Sequence, residues 1–322
     1  MMTTEYVRLS ATMTVGAALE HIREVALDRE TVYTCYVTDT GRILRDIVTA
    51  RQLLIAPLDR VIGDLMEENV VSVGTHDERE AVARLFDKYN FLALPVTDGD
   101  GRLVGIITVD DAIEVISEEV EEDFAKMAAT TPTDLPYLRE STLSVFLSRI
   151  PWLLLLMIGA TFTGVIISSF EAALAATVVL TAFIPMLMGT GGNAGSQASV
   201  TVIRGLSLGE IGYRHTFAVL FKELRIALLC GVTLAVVNFG KLLLIDGLLF
   251  GNPAVTPLVS LTVSLTLGVT VIAAKLIGAL LPLLAGRLGL DPAVMASPFI
   301  TTIVDAVSLL VYFLLAGVLL GI

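Results

Sequence analysis

The chain of 322 residues holds only two cysteines, three histidines and one tryptophan. Cys35 sits in a polar region and Cys230 in an apolar one, which leaves no disulfide framework and no paired thiol site. His21, His76 and His215 are isolated from one another, which argues against a zinc centre. No grouping of nucleophile, base and acid stands out, so no enzyme is expected. The opening MMTTEYVRLS lacks the apolar core of a secretory leader and is not read as a signal peptide. Charge is scarce as well: Asp, Glu, Lys and Arg make up 17% of the chain, against about 25% in an ordinary soluble domain.

Apolar residues take their place, at 55% of the sequence with a mean hydropathy of +0.80. They are unevenly spread. Residues 1–140 carry 27 acidic against 13 basic side chains, net −14, and residues 141–322 carry 6 against 8, net +2. An acidic soluble region is therefore joined to a membrane region. Its charge would repel nucleic acid and suits cations.

The soluble region repeats itself. VTDTGRILRDIVTARQLL from Val37 and VTDGDGRLVGIITVDDAI from Val96 share V-T-D, G-R and a branched pair followed by Thr. Each follows a helical pattern, Val15–Ala26 and Glu80–Tyr89, and reads as strand, Gly turn, strand, helix. This resembles a tandem cystathionine-β-synthase (CBS) pair, the second copy more closely, since Arg45 and Asp46 stand where that copy has Gly105. CBS pairs often hold adenosine nucleotides. Whether ATP or a related nucleotide binds here stays open at this point, and simple dimerisation is the other role such a pair can have.

From Asp110 the chain reads DDAIEVISEEVEEDFAKMAA. Ile113, Ile116, Val120, Phe124 and Met127 recur at helical spacing, and the rest of the surface is crowded with carboxylates. Like charges three or four apart cost roughly 0.2–0.5 kcal/mol each. A hard divalent cation would offset that repulsion, and a solvated helix face is the plainer alternative. TTPTDLPYL then breaks the helix.

Five stretches are long enough to cross a hydrocarbon core of about 30 Å: Val145–Phe170, Ala172–Val202, Phe217–Leu244, Pro257–Leu284 and Ala296–Ile322. Arg139 and Arg149, then Arg204, Arg214, Lys222 and Arg225, then Arg287 mark the cytoplasmic side. The soluble region is expected inside and the C-terminus outside.

Ionisable groups within spans point to function. Asp305 lies inside the fifth, on a stripe with Thr301, Ser308 and Tyr312; a protonated or helix-bonded Asp305 is the structural alternative. GTGGNAGSQ, Gly189–Gln197, puts Asn193 and Gln197 on one face. Its match to a dinucleotide loop fails, because it follows a long apolar run rather than a short strand. Lys275 in the fourth span either snorkels or pairs with Asp246 or Asp291.

PMLMGTGGNAGSQASVTVIRGL and GLDPAVMASPFITTIVDAVSLLVYF, with the CBS pair and acidic helix, resemble the MgtE magnesium transporter family over almost the whole chain. The resemblance implies an α/β tandem CBS pair at 1–112 (about 1–62 and 63–112) and an acidic connecting helix and linker at 113–140. An all-α transmembrane domain of five helices follows at 141–322. It implies a homodimer in the cell (inner) membrane, surrounded by lipid, with a Mg2+ pore lined by spans two and five of both copies. By position, Asp305 would hold hydrated Mg2+, supported by Asn193 and by backbone oxygens near Gly189, Gly192 and Thr301. Asp291 would face Glu119 and Asp123. Regulatory Mg2+ there, at Glu122, and at Asp111 and Glu114 would hold the pore closed. Other members commonly carry a helical domain before the CBS pair, and this sequence begins at the opening segment of the first CBS unit. Two other functions remain compatible with the residues: transport of Mn2+ or Co2+ on the same scaffold, and a non-conducting membrane sensor of cations or nucleotides. The absence of a thiol or imidazole near Asp305 speaks against a soft metal.

Overall fold

A computed structural model describes residues 1–66, 70–133 and 135–321. Asp134 of the expected linker and Ile322 at the end of the expected fifth span lie outside the described residues. The chain divides into two compact units, Met1–Val120 and Glu121–Ile322.

The first unit is built from two copies of one module. Strands β1 (Val7–Leu9), β2 (Thr34–Thr38) and β3 (Leu44–Thr49) form one sheet, and β4 (Val73–Gly74), β5 (Ala93–Thr97) and β6 (Leu103–Thr108) the other. In both, the first strand runs parallel to the second and the second antiparallel to the third. Both carry an irregularity at the same place, Val37/Thr38 and Val96/Thr97. Asp46 and Gly105 occupy equivalent positions, opposite Val37 and Val96. Gly105 is required there: a Cβ would meet the Met2 side chain at 2.5 Å and the Thr3 carbonyl oxygen at 2.7 Å.

Helix α1 (Val15–Val25) starts at Thr14, whose hydroxyl accepts from the Ala17 amide, and α2 (Ala50–Ile55) starts at a capping box of Thr49 and Gln52. These caps satisfy amides that the first helical turn leaves unbonded. In the second module, α3 (Arg79–Tyr89) ends at a left-handed Asn90. Tyr6, Tyr36, Ala93, Leu103 and Ile106 form a shared core between the modules, and Leu44 and Leu103 donate amide hydrogen bonds across them to Gly101 and Arg42. Cys35 is inside the first module's core, where burial pushes its thiol up to about 12.

Helix α4 (Val109–Met127) extends the acidic segment. Its expected apolar stripe is not the packed face. Ala112 and Val115 are buried, whereas Ile113, Ile116, Val120 and Phe124 are exposed. The sheet selects the face that continues directly from β6, and helical spacing alone cannot see that choice.

Five helical stretches of the second unit are long and apolar enough to cross a membrane: Thr142–Ser169, Val178–Ser207, Tyr213–Leu249, Pro257–Arg287 and Ser297–Leu320. Helix α5 (Thr142–Ser169) is almost uncovered. The expected second span is not one helix. The short α6 (Glu171–Ala176) is followed by a non-helical Thr177 (φ −139°, ψ 74°), a tight turn at Val178–Phe183 and then α7 (Ile184–Ser207). Pro185 in the first turn of α7 explains the restart, since proline lacks the amide that a continuing helix needs. GTGGNAGSQ consequently lies in the middle of α7 and not at the end of a span.

Helices α8 (Thr216–Lys241) and α10 (Ser297–Leu320) flank α9 (Pro257–Arg287), the most buried of the set. Gly231 of α8 and Gly268 of α9 allow close approach: a Cβ on Gly231 would lie 2.8 Å from the Gly268 carbonyl oxygen.

Candidate functional site

The glycines of α7 are contact residues. A Cβ at Gly191 would lie 2.8 Å from both Ser308 Oγ and Thr270 Cγ2, at Gly192 3.0 Å from Thr301 Cγ2, and at Gly195 2.7 Å from Ile300 Cγ2. On the α9 side a Cβ at Gly278 would be driven into the Gly195 carbonyl oxygen. Small residues let backbones approach where lipid supplies no hydrophobic drive between helices. Side-chain hydrogen bonds lace the same seam: Ser297 and Ser196 hydroxyls are 2.8 Å apart, and Ser199 donates to the Met295 carbonyl at 2.8 Å.

This packing leaves two kinds of polar group. Ser308 and Tyr312, expected on a polar stripe, are fully buried and satisfied within the bundle. Ser308 Oγ donates to the Val304 carbonyl at 2.6 Å, and Tyr312 Oη to the Leu180 carbonyl at 2.9 Å. Thr301 Oγ1 donates to the Pro298 carbonyl at 2.9 Å. These are structural hydrogen bonds.

Asp305 differs. It is half-buried and enters no hydrogen bond or ion pair among the described residues. Asn193 and Gln197 face outward from α7, and Gly189 has open space beside it. Thr301, one turn before Asp305, packs on Gly192, the neighbour of Asn193. The carbonyls of Gly189 and Gly192 belong to a continuous helix, so each has only its second lone pair to offer a ligand. An unpaired carboxylate on α10 and an outward-facing amide on α7 are the kinds of donor that suit a hard cation that keeps several waters.

At the end of the bundle where α10 begins, Asp291 accepts from Lys126 Nζ at 2.5 Å, and Lys126 also pairs with Glu122. Asp123 accepts from Ser207 Oγ at 3.0 Å. The resemblance implied Asp291 facing Glu119 and Asp123; in the structure Asp291 accepts from an ammonium one turn beyond Glu122. Lysine's pKa is pulled down by burial there, but the hydrogen bonds to Asp291 and Glu122 outweigh that and hold it above its usual range. Met127 packs on Ile203, Ala293 and Ala296 beside this contact. In the first unit Glu118 pairs with Arg79, Asp111 accepts from Thr108 Oγ1 at 3.3 Å, and Glu114 is exposed. Among the described residues no three His, Cys, Asp or Glu side chains converge as metal ligands.

Lys275 pairs with neither expected partner. Asp246 pairs with Lys241 at 2.8 Å and Asp291 with Lys126. Lys275 is instead buried in a cavity that Glu223 of α8 also lines. Glu223 carries no signal of its own in the sequence, because it sits between Lys222 and Arg225 in the basic segment that orients the chain.

Residues 184–315 match the MgtE family described as a divalent cation transporter, and residues 62–118 match the CBS domain. The magnesium transporter MgtE of Thermus thermophilus is 38% identical over 320 residues, 99% of this chain and 69% of that protein. The chain belongs to the MgtE family. Another relative, the magnesium transporter MgtE of Enterococcus faecalis, is 34% identical over 98% of this chain and 68% of its own length. A solved structure of the cytosolic domain of the Mg2+ channel MgtE in complex with ATP is 43% identical, with a TM-score of 0.35, and covers 35% of this chain and 46% of that one. This MgtE family member is a multi-pass membrane protein with a CBS pair. The CBS match spans only the second module, and the shared strand order and register identify the first as its repeat.

Proposed function

We propose that the chain carries Mg2+ through a pore formed by α7 and α10 of two copies, with the CBS pair and α4 on the cytoplasmic side and the C-terminus outside. The observation that carries this is the unpartnered Asp305 in the middle of an apolar helix. A charge there costs about 2.5–3.5 kcal/mol on insertion scales, and no partner among the described residues offsets it. Two Asp305 side chains, one per copy, balance a dication without stripping its water shell. Flux of Mg2+, Mn2+ and Ca2+ into proteoliposomes tests the reading. Equal or faster Mn2+ passage would favour a different cargo, and no flux of any divalent ion would favour a sensor.

Gating is proposed to rest on the acidic groups. Asp111, Glu114, Glu119, Glu122, Asp123 and Asp291 offer carboxylate oxygens, the ligands Mg2+ prefers, and pairs of them suffice because the ion retains water. A ligand that binds one state better shifts the population toward it. At Asp291 and Glu122 such an ion competes with the Lys126 ammonium. Neutralising Glu119, Glu122 and Asp123 together is expected to raise the internal Mg2+ needed for half-inhibition about tenfold. Lys126→Gln is expected to lower it. Flux measured against internal Mg2+ checks both, and unchanged curves would remove the sensor.

A cleft of about 1080 Å3 between the two CBS modules is lined by residues including Tyr33, Asp46, Thr49, Arg51, Arg60 and Phe91. Guanidinium groups, a carboxylate and aromatic rings suit a nucleotide's phosphates, ribose and base. The proposed ligand is ATP. Arg51→Ala with Arg60→Ala is expected to weaken ATP binding about a hundredfold or more, since each of the two charge-assisted hydrogen bonds lost contributes roughly 1.5–3 kcal/mol. Titration calorimetry on the purified chain reads this directly, and no heat with the unaltered chain would exclude it.

A further inference from the structure

Helices α7 and α8 both pack along α9, and between them lies a cavity of about 830 Å3. Six of its nine lining residues are polar, Asn193, Ser196, Gln197 and Thr201 from α7, Glu223 from α8 and Lys275 from α9, and Ala198, Val200 and Ile226 complete it. Glu223 is 7% exposed and Lys275 5%. Glu223 Oε2 is buried without a hydrogen-bond partner, and Lys275 enters no hydrogen bond or ion pair among the described residues. One turn further along each helix, Val202, Leu220 and Ala279 belong to an apolar cluster with Leu283. That cluster backs the cavity on the side of the 207–216 connection. Asn193 and Gln197 are on its open side, on the outward face of α7.

We infer that this cavity is a second, low-affinity station for a hydrated divalent cation, entered from the outward face of α7 where Asn193 and Gln197 lie. The inference rests on the transport reading for the cargo and on the cavity for the site. A carboxylate oxygen without a donor, two amide oxygens and two hydroxyls are hard oxygen ligands. Six waters at about 30 Å3 each occupy roughly 180 Å3, so an ion fits with its first shell intact. Lys275 sets the strength. A fixed ammonium in the same cavity opposes a dication and keeps occupancy brief. Conduction requires this balance, because an ion must enter a site readily and also leave it.

Three variants of the full chain test the inference: Glu223→Gln, Lys275→Gln and the double variant, with Glu223→Asp to show that a retained carboxylate preserves folding and flux. The first readout is Mg2+ flux in proteoliposomes, and the second is Mn2+ binding followed by electron paramagnetic resonance on the solubilised chain. Glu223→Gln is expected to lower flux about tenfold. Lys275→Gln is expected to tighten the weakest class of bound Mn2+ by at least about tenfold, because the variant removes the repulsion between a fixed unit charge and a dication several ångströms away, and water screens the rest. Adding Glu223→Gln to Lys275→Gln should erase that gain. If both single variants lose flux and the double variant regains it, the two residues are a structural ion pair and the inference is wrong. If neither changes flux or Mn2+ binding, it is also wrong. If the unaltered chain carries no divalent ion, the transport reading fails by itself. The Mn2+ difference between Lys275→Gln and the double variant still decides the cavity.

Discussion

Replacing Asp305 with asparagine is expected to cut Mg2+ flux at least about thirtyfold while the protein stays folded. The side chain keeps its size, so packing along α10 is preserved and only charge is lost. In a two-fold pore both carboxylates disappear at once. A unit charge about 6 Å from a dication, at an effective dielectric near 20, contributes roughly 5 kcal/mol before screening and water are allowed for. Half of that figure already corresponds to a factor of several tens in rate or occupancy. Because Asp305 makes no hydrogen bond among the described residues, the variant leaves no orphaned donor behind, and its melting temperature in detergent should equal that of the parent. Proteoliposome flux with a Mg2+-sensitive dye reads the first effect and size-exclusion after heating reads the second. Flux within a factor of two of the parent would remove Asp305 from the pathway.

Gly278→Ala is expected to destabilise the bundle by about 2–3 kcal/mol, in the range of overpacked cores. Its methyl group would be forced into the Gly195 carbonyl oxygen, and a helix backbone cannot rotate away as a flexible side chain can. For a bundle of this size the corresponding fall in melting temperature is about 5–10 °C. Gly189→Ala supplies the contrast. Nothing lies within 4 Å of the added carbon, and alanine is the better helix former by roughly 1 kcal/mol. That variant should melt at or above the parent. Equal losses at both positions would mean that backbone flexibility, and not interhelical contact, is what these glycines supply.

The two variants bracket what GTGGNAGSQ does. Read along the chain, the segment is a polar interruption of a greasy run, and its glycines invite a role for backbone oxygens. In the fold, Gly191, Gly192 and Gly195 bring α7 against α10 and α9, and Asn193 and Gln197 are the outward-facing polar groups that this contact leaves free. Both readings need glycine at these places, and only the neighbouring helices distinguish them.

Local pattern determined much of this protein. The CBS repeat is legible because Val37–Leu54 and Val96–Ile113 share spacing, and the pleat turns that spacing into identical register. The five spans are legible because bilayer thickness sets a minimum apolar length. Asp305 stands out because a carboxylate in such a run is costly anywhere in it. Pro185 signals the restart of α7 at Ile184, a feature that a hydropathy sum does not contain because it ignores backbone geometry. What only the tertiary structure decided are the pairings. Lys126 meets Asp291 across 165 positions, Ser308 and Tyr312 bond inward, and Lys275 shares a cavity with Glu223 instead of reaching Asp246. Helical periodicity places a side chain on a face, but which helix that face meets is set by close packing of small residues far apart in the chain, and the charges pair with whatever that packing brings near.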